Sequence, residues 1–329
     1  MTQKKKIILR FLRVFSQFKP GFILNDNELV ILNRKKALDA LQSNSIDFLV
    51  PYTCDIEDDI RDIFLQNSLD QMIFQIRVLK ELDKIISILS RENIQLFLLK
   101  GFAMRRYYPP ECIRPISDID IVVHPDERYR CVHIFRDAGY QLASGIDVER
   151  LLTFHGELSW KNPQTQISVE CHWDLINAAS MRKVTNFDPS FIFGKLETFD
   201  VDGVSINVLP RAIELAYLMT HHVLHHQFKR LLWLVDVFLI IMSEEVDWKE
   251  FEDAVKHLRM DRPVYYYLSA LIRLFGREDL VNILELKDKL LPRSMQYFFF
   301  SGFKRPENIF KREQCISRLR DHIFRNAFK

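Results

Sequence analysis

Two short apolar segments that end or begin at polar residues most constrain the fold of this chain. Residues 94–99 predict a strand that ends in the turn Lys100-Gly101, and Asp118-Ile119-Asp120 opens a second apolar strand. Because side chains alternate across a strand, we expect Asp118 and Asp120 on one face, with their Cα atoms roughly 7 Å apart. Two such carboxylates repel each other unless a cation lies between them, and Mg²⁺ prefers oxygen ligands of this kind together with phosphates. The pair therefore predicts a metal-dependent reaction at a phosphate.

The chain of 329 residues is too long for one small core, and its 48% hydrophobic and 27% charged residues are ordinary for a globular protein. Apolar periodicity predicts a helical region over residues 1–90, mixed strands and helices over 91–209, and a helical domain over 210–329. The central unit is therefore predicted to be α/β or α+β. The net charge of +2 produces no overall field that would attract nucleic acid.

Turn residues predict two hairpins in the central unit. One joins 157–161 to 167–173 through Asn162-Pro163-Gln164-Thr165, and the other turns at Asp202-Gly203 between 196–201 and 204–209. Residues 56–89 predict one long helix or two. Further helices are predicted over 28–41, 102–108 and 125–138, from Pro210, over 231–242, from Asp247-Trp248, and from Pro263.

The five cysteines lack CxxC spacing, which favours reduced thiols and a cytoplasmic protein over a disulfide framework. The basic segment 1–18 predicts either a helix with one buried stripe or an amphipathic helix on a membrane surface. Charged residues interrupt its apolar run, so it is a poor signal peptide. No run of eighteen apolar residues occurs, and we therefore expect no transmembrane span.

A third acidic residue stands inside a predicted strand. In Ser168-Val169-Glu170-Cys171-His172-Trp173, alternation places Ser168, Glu170 and His172 on one face of the strand. A buried carboxylate without a partner is costly, so Glu170 needs a reason to be there. One reason is a salt bridge to Arg105, Arg106 or Arg114, and the other is convergence with the two aspartates on a cation.

These residues together resemble the NTP_transf_5 nucleotidyltransferase family of the DNA polymerase β superfamily. The resemblance covers about residues 75 to 250, and its elements are Leu98-Leu99-Lys100-Gly101, Arg114 with Ser117-Asp118-Ile119-Asp120, Glu170-Cys171-His172-Trp173, and His221, His225 and Trp233-Leu234-Val235-Asp236. The resemblance implies an α+β protein in which a small palm with a mixed sheet is flanked by N-terminal and C-terminal helical regions. It also implies transfer of a nucleoside monophosphate from an NTP, such as ATP, to an acceptor, with release of pyrophosphate.

By the same resemblance, Asp118 and Asp120 are expected to hold two Mg²⁺ or Mn²⁺ ions, and Glu170 is expected to be the third carboxylate, as a ligand or a base. The wider superfamily has Gly-Ser or Gly-Gly after its first strand, whereas here Phe102 follows Gly101. Backbone N–H groups at Phe102 and the charge of Lys100 are the alternative phosphate contacts. Arg114 and Ser117 belong to the same motif and are expected at the nucleotide.

The histidines at 221, 222, 225 and 226 form two i, i+4 pairs. The pairs are compatible with zinc ligands, with structural histidines, or with His221 and His225 contacting nucleotide or phosphate, and the resemblance favours the last interpretation. Asp236 is expected to pair with a basic group in the helical domain.

The sequence specifies neither the acceptor, nor the base of the NTP, nor an oligomeric state. The catalytic unit lacks an extended basic groove, which favours a sugar, small metabolite, peptide or protein acceptor over tRNA or DNA. The segment 293–329 combines basic and aromatic residues, a pattern typical of either single-stranded nucleic-acid binding or an amphipathic helix packed on the body. Two other functions fit the same residues: a non-catalytic nucleotide-binding or interaction protein, and a metal-dependent phosphohydrolase.

Overall fold

The computed structural model of the chain describes residues 42, 45–49, 58–109, 112–177, 179–183, 185–226, 232–243, 246–275 and 290. The helices expected over 1–18 and 28–41 and the basic aromatic segment 293–329 lie outside the described residues. The chain divides into two units, one formed by Leu69–Tyr217 and the other by Met1–Ser68 with Leu218–Lys329. The division into three regions expected from the sequence stays a prediction.

A seven-stranded mixed sheet forms the centre of the Leu69–Tyr217 unit. Its strands lie in the order β3-β4-β5-β2-β1-β7-β6. Their bounds are β1 Leu96–Leu99, β2 Ile119–Val123, β3 Gln141–Leu142, β4 Glu157–Lys161, β5 Ser168–His172, β6 Glu197–Val201 and β7 Val204–Val208. Strand β2 pairs antiparallel with β1 and parallel with β5, so strands distant in the sequence become neighbours at the centre of the sheet.

Helices precede, interrupt and follow the strands. The α-helices whose bounds fall within the described residues are α1 Asp58–Arg91, α2 Arg128–Asp137, α3 Val148–Phe154, α4 Ala179–Arg182, α5 Pro189–Phe193, α6 Arg211–His221, α7 Leu232–Met242, α8 Trp248–His257 and α9 Asp261–Phe275. Short 3₁₀ helices span Asp47–Leu49, Gly101–Tyr107 and Pro125–Glu127, and a π-helical turn spans His222–His226.

The two faces of the sheet differ, as the alternation in its strands requires. On one face Ile121, Leu158 and Cys171 join the apolar core, which also takes in the buried stripe of α1 and part of α2. On the opposite face lie Asp120 of β2 and the polar residues of β5. The candidate site is therefore built on the face turned away from the main core.

A buried carboxylate connects α1 to the β4–β5 hairpin. Glu81 accepts hydrogen bonds from the hydroxyl of Tyr140, from Asn162 Nδ2 at 2.7 Å and from Thr165 Oγ1 at 3.2 Å. Asn162 begins the hairpin turn, and its side-chain oxygen also accepts from the backbone N–H groups of Gln164 and Thr165. The network ties the hairpin that carries Glu170 to the long helix.

The structure confirms both hairpins and the α+β class, and it places one helix, α1, over Asp58–Arg91. Several boundaries differ from expectation. Strand β1 starts at Leu96, the segment after Gly101 is a 3₁₀ helix, and α9 begins at Asp261, before Pro263. Asp118 lies in a bend just before β2, because pairing with β5 begins only at Ile119, opposite Val169.

Candidate functional site

Three side chains with metal-ligating atoms meet on the polar face of the sheet. Asp120 of β2 lies directly opposite Glu170 of β5 in the parallel register, and His172 follows Glu170 on the same face. His172 Nε2 is 3.1 Å from Asp120 Oδ1 and 3.6 Å from Glu170 Oε2. Asp120 and His172 are buried, whereas the side chain of Glu170 is 28% exposed. The pairing of β2 with β5 thus brings together two of the three acids expected from the sequence.

Lys100 enters the cluster from the turn after β1. Its Nζ lies 2.8 Å from Asp120 Oδ1. Its backbone has φ 52° and ψ −147°, a conformation that residues other than glycine rarely adopt. Gly101 follows with φ 38°. Such a conformation costs about 1–3 kcal/mol and persists where the surroundings hold it in place. The turn therefore directs the ammonium group at the carboxylate of Asp120.

The two aspartates have opposite electrostatic environments. Burial alone would raise the pKa of Asp120, but the charge of Lys100 and the hydrogen bond from His172 hold it below its ordinary value. Burial, followed by the negative charge of Asp120, raises the pKa of Asp118. Asp118 accepts a hydrogen bond from Ser117 Oγ at 2.9 Å. Asp120 is therefore the anion that the folded protein stabilises, and Asp118 is the anion that it disfavours.

The negative charge of Asp120 also acts on Glu170. The hydrogen bond from His172 acts to lower its pKa, but burial and the charge of Asp120 together raise it above the ordinary value. The alternative predicted for Glu170 was a salt bridge to Arg105, Arg106 or Arg114. Two of these arginines have other partners. Arg105 Nη1 donates to Gln75 Oε1 at 3.2 Å, and Arg106 Nη2 pairs with Glu214.

His172 and Glu157 are site residues to which the sequence analysis assigned no role. Burial alone would lower the pKa of His172, but its bonds to Asp120, Glu157 and Glu170 raise it well above the ordinary value. His172 Nδ1 lies 3.0 Å from Glu157 Oε2, and Glu157 Oε1 accepts a hydrogen bond from Asn177 Nδ2. The sequence feature that pointed to His172 is its position two residues after Glu170, which places both side chains on the same face of the strand. Glu157 is opposite His172 in the β4–β5 hairpin, so its place followed from the register of that pair.

The donor set fits a divalent cation. One ligand atom each from Asp120, Glu170 and His172 lie within 4.8 Å of one another. Adjacent ligands on an octahedral ion with bonds of about 2.1 Å lie about 3 Å apart, which agrees with the 3.1 Å from His172 Nε2 to Asp120, whereas the 3.6 Å to Glu170 is longer. Within the described part of the chain this is the one cluster of three or more metal-ligating side chains, and Asp118 stands beside it rather than in it.

The other residues expected at the nucleotide lie around this turn or elsewhere in the chain. Phe102 and Arg114 are buried, and Ser117 is exposed. The Phe102 side chain belongs to the apolar core, so any phosphate contact there would involve its backbone. Arg114 Nη1 donates to the carbonyl of Pro115 at 3.0 Å.

His221 and His225 lie in the other unit of the chain. His221 Nε2 is 2.8 Å from His226 Nε2, and the rings of His221 and His225 stack with centroids 4.8 Å apart. His226 in turn stacks on Trp233. Their contact with a nucleotide stays a prediction.

None of the helices within the described residues is both long enough and apolar enough to cross a membrane.

Comparisons with known proteins give two results. The model of the family NTP_transf_5, described as an uncharacterised nucleotidyltransferase, matches residues 39–276. Among solved structures, the chain is similar to an antigenic nucleotidyltransferase-like protein from Paracoccidioides brasiliensis, with 14% identity over 63% of this chain and 93% of that one and a TM-score of 0.38. No curated protein matches the chain.

Proposed function

The chain belongs to the family of uncharacterised nucleotidyltransferases, and from that premise we propose that it transfers a nucleoside monophosphate from an NTP to an acceptor, with Mg²⁺ or Mn²⁺ and release of pyrophosphate. One observation carries the proposal: Asp120 and Glu170 lie side by side on paired strands, and the ammonium group of Lys100 contacts the carboxylate of Asp120. Anionic ligands and a cation side by side are what binding of a metal–triphosphate complex requires.

The three acids take the roles that the family resemblance implies. Asp118 and Asp120 are the proposed ligands of two ions, and Glu170 is the third carboxylate. When bound, the ions would neutralise charge on the attacking and leaving oxygens of an in-line displacement. Burial, together with the negative charge of Asp120, raises the pKa values of Asp118 and Glu170, and a bound cation would favour the charged form of both carboxyl groups.

The turn after β1 is the proposed binding site for the triphosphate. Lys100 is a compact positive charge that can exchange the carboxylate of Asp120 for a phosphate oxygen. Gly101 has φ 38°, a left-handed conformation that favours glycine, and it lies beside the bend at Asp118, where a Cβ would make an ordinary contact of 3.6 Å with the carbonyl oxygen of Asp118. Phe102, Arg114 and Ser117 are the other proposed nucleotide contacts of this unit. A nucleotide contact by His221 or His225 is proposed from the family resemblance alone.

Transfer activity is tested with the full chain, each of four α-³²P-labelled NTPs, Mg²⁺ or Mn²⁺, and a cell extract as the source of acceptor. We expect label in one class of acceptor and an equal amount of pyrophosphate. Asp118→Asn and Asp120→Asn are expected to abolish both, whereas the exposed substitution Asp126→Asn is the matched control and retains them. Orthophosphate in place of pyrophosphate, released by the purified chain in the absence of extract, would assign the chain to the phosphohydrolases.

A nucleotide-binding protein without transfer activity is the second candidate. One observation favours it: Lys100 and His172 already contact the Asp120 carboxylate, so the protein itself supplies positive charge there. Isothermal titration with Mg²⁺–NTP beside the pyrophosphate assay separates the candidates. Binding without turnover in the presence of the extract favours this second function.

A further inference from the structure

We propose that His172 is a nitrogen ligand of the catalytic metal ion and that Glu157 is the positioning residue that orients its ring, an inference that rests on the proposed function. The family resemblance implies a site made of carboxylates alone. The geometry instead places an imidazole nitrogen among them, on the same face of the sheet and between the two paired acids.

The distances around His172 Nε2 support direct ligation. This atom donates a hydrogen bond to Asp120 Oδ1 at 3.1 Å and lies 3.6 Å from Glu170 Oε2, so a cation that replaced the shared proton would have all three atoms as neighbouring ligands. The ring has almost no exposed surface, so its nitrogen atoms contact these protein groups rather than solvent.

The other ring nitrogen already has the partner that a metal-bound histidine usually has. His172 Nδ1 is 3.0 Å from Glu157 Oε2, and the second oxygen of Glu157 is bonded to Asn177. Histidine ligands commonly donate their distal N–H to a carboxylate, which fixes the tautomer and the orientation of the ring. Asn177 and Glu157 therefore form a chain of contacts that would hold the ring of His172 in the orientation that ligation needs.

A mixed oxygen and nitrogen donor set changes the preferred ion. Carboxylates alone suit Mg²⁺, whereas imidazole adds affinity for transition metals in the order Mn²⁺ below Co²⁺. We therefore expect the protein without nucleotide to bind Co²⁺ more tightly than Mn²⁺, and Mn²⁺ more tightly than Mg²⁺.

The experiment is a titration of the full chain with Mn²⁺ alone, followed by pulsed EPR of the bound ion. We expect electron-spin-echo modulation from a directly coordinated ¹⁴N nucleus in the wild type. His172→Gln is expected to remove that modulation and Glu157→Gln to weaken Mn²⁺ binding by about 10- to 100-fold while keeping it. His133→Gln, at an exposed histidine of α2, is the matched control and is expected to change neither.

The outcomes separate this inference from the proposed function. The wild-type spectrum needs no variant, so a fold defect in His172→Gln cannot obscure the result. Bound Mn²⁺ without ¹⁴N modulation, in a protein that still releases pyrophosphate from NTP, would refute ligation by His172 and leave the proposed function standing. Absence of Mn²⁺ binding together with absence of transfer would remove both. Modulation that persists in His172→Gln would assign the nitrogen to another histidine and overturn the inference.

Discussion

Replacing each aspartate of the Asp-x-Asp pair by asparagine is expected to change the free energy of unfolding in opposite directions. The folded protein lowers the pKa of Asp120, so its charge stabilises the fold at neutral pH, and that contribution is lost as pH falls through the acidic range. The folded protein raises the pKa of Asp118, so the charged form of Asp118 opposes folding once pH rises above its titration. Both substitutions remove a proposed metal ligand, yet only Asp120→Asn removes a stabilising charge.

The contacts of each carboxylate set the magnitudes. Asp120 accepts charge-assisted hydrogen bonds from Lys100 at 2.8 Å and from His172 at 3.1 Å, and bonds of this kind contribute about 1.5–3 kcal/mol each. The Lys100 side chain is 18% exposed and regains hydration when released, so we expect Asp120→Asn to cost about 2–4 kcal/mol. In Asp118→Asn the amide oxygen still accepts from Ser117, and the expected change is a gain within about 0.5 kcal/mol.

Urea denaturation at pH 7 in EDTA, followed by circular dichroism, measures both changes, and the labelled-NTP assay reports activity. We expect both variants to be inactive, with the unfolding midpoint lowered in Asp120→Asn and equal or higher in Asp118→Asn. The electrostatic reasoning is refuted if Asp118→Asn proves the less stable of the two, or if Asp120→Asn unfolds at the wild-type midpoint.

Three further substitutions test neighbouring parts of the structure. Lys100→Met removes a positive charge beside a proposed metal ligand, so we expect Mn²⁺ to bind roughly tenfold more tightly and NTP to bind more weakly. Titration with each ligand measures both affinities, and a fall in both would contradict this reasoning. Tyr140→Phe removes a hydrogen bond to the buried carboxylate of Glu81 and should lower the free energy of unfolding by about 1.5–3 kcal/mol, and an unchanged denaturation curve would show that the bond contributes nothing. Burial raises the pKa of Asp174 to about 6, against the opposing hydrogen bond from the Ile176 N–H. Since this raised pKa makes the wild type lose stability as pH rises from about 4 to 6, Asp174→Asn should flatten that part of the stability profile, and a profile parallel to that of the wild type would contradict this assignment.

The local parts of the fold could be predicted from the sequence because they depend on neighbours along the chain. Asp202-Gly203 and Asn162-Pro163 specify tight turns, and the alternation around Glu170 predicts which of its neighbours share a face. The bend at Asp118 could not be read in this way, since its position depends on where β2 begins to pair with β5, a strand far along the sequence.

The sequence by itself determined that one apolar strand ends in Lys100-Gly101 and that a second one opens with acidic residues. It also determined that Glu170 and His172 face the same way, because alternation is a property of each strand alone. Only the tertiary structure decided that Asp120 lies beside Glu170, and that Glu157 faces the far side of His172. These contacts arise from pairing between β2, β4 and β5, and strand order depends on the packing of the whole sheet rather than on any local pattern. The position of Lys100 on Asp120 depends in the same way on a strained turn that the surrounding fold holds in place.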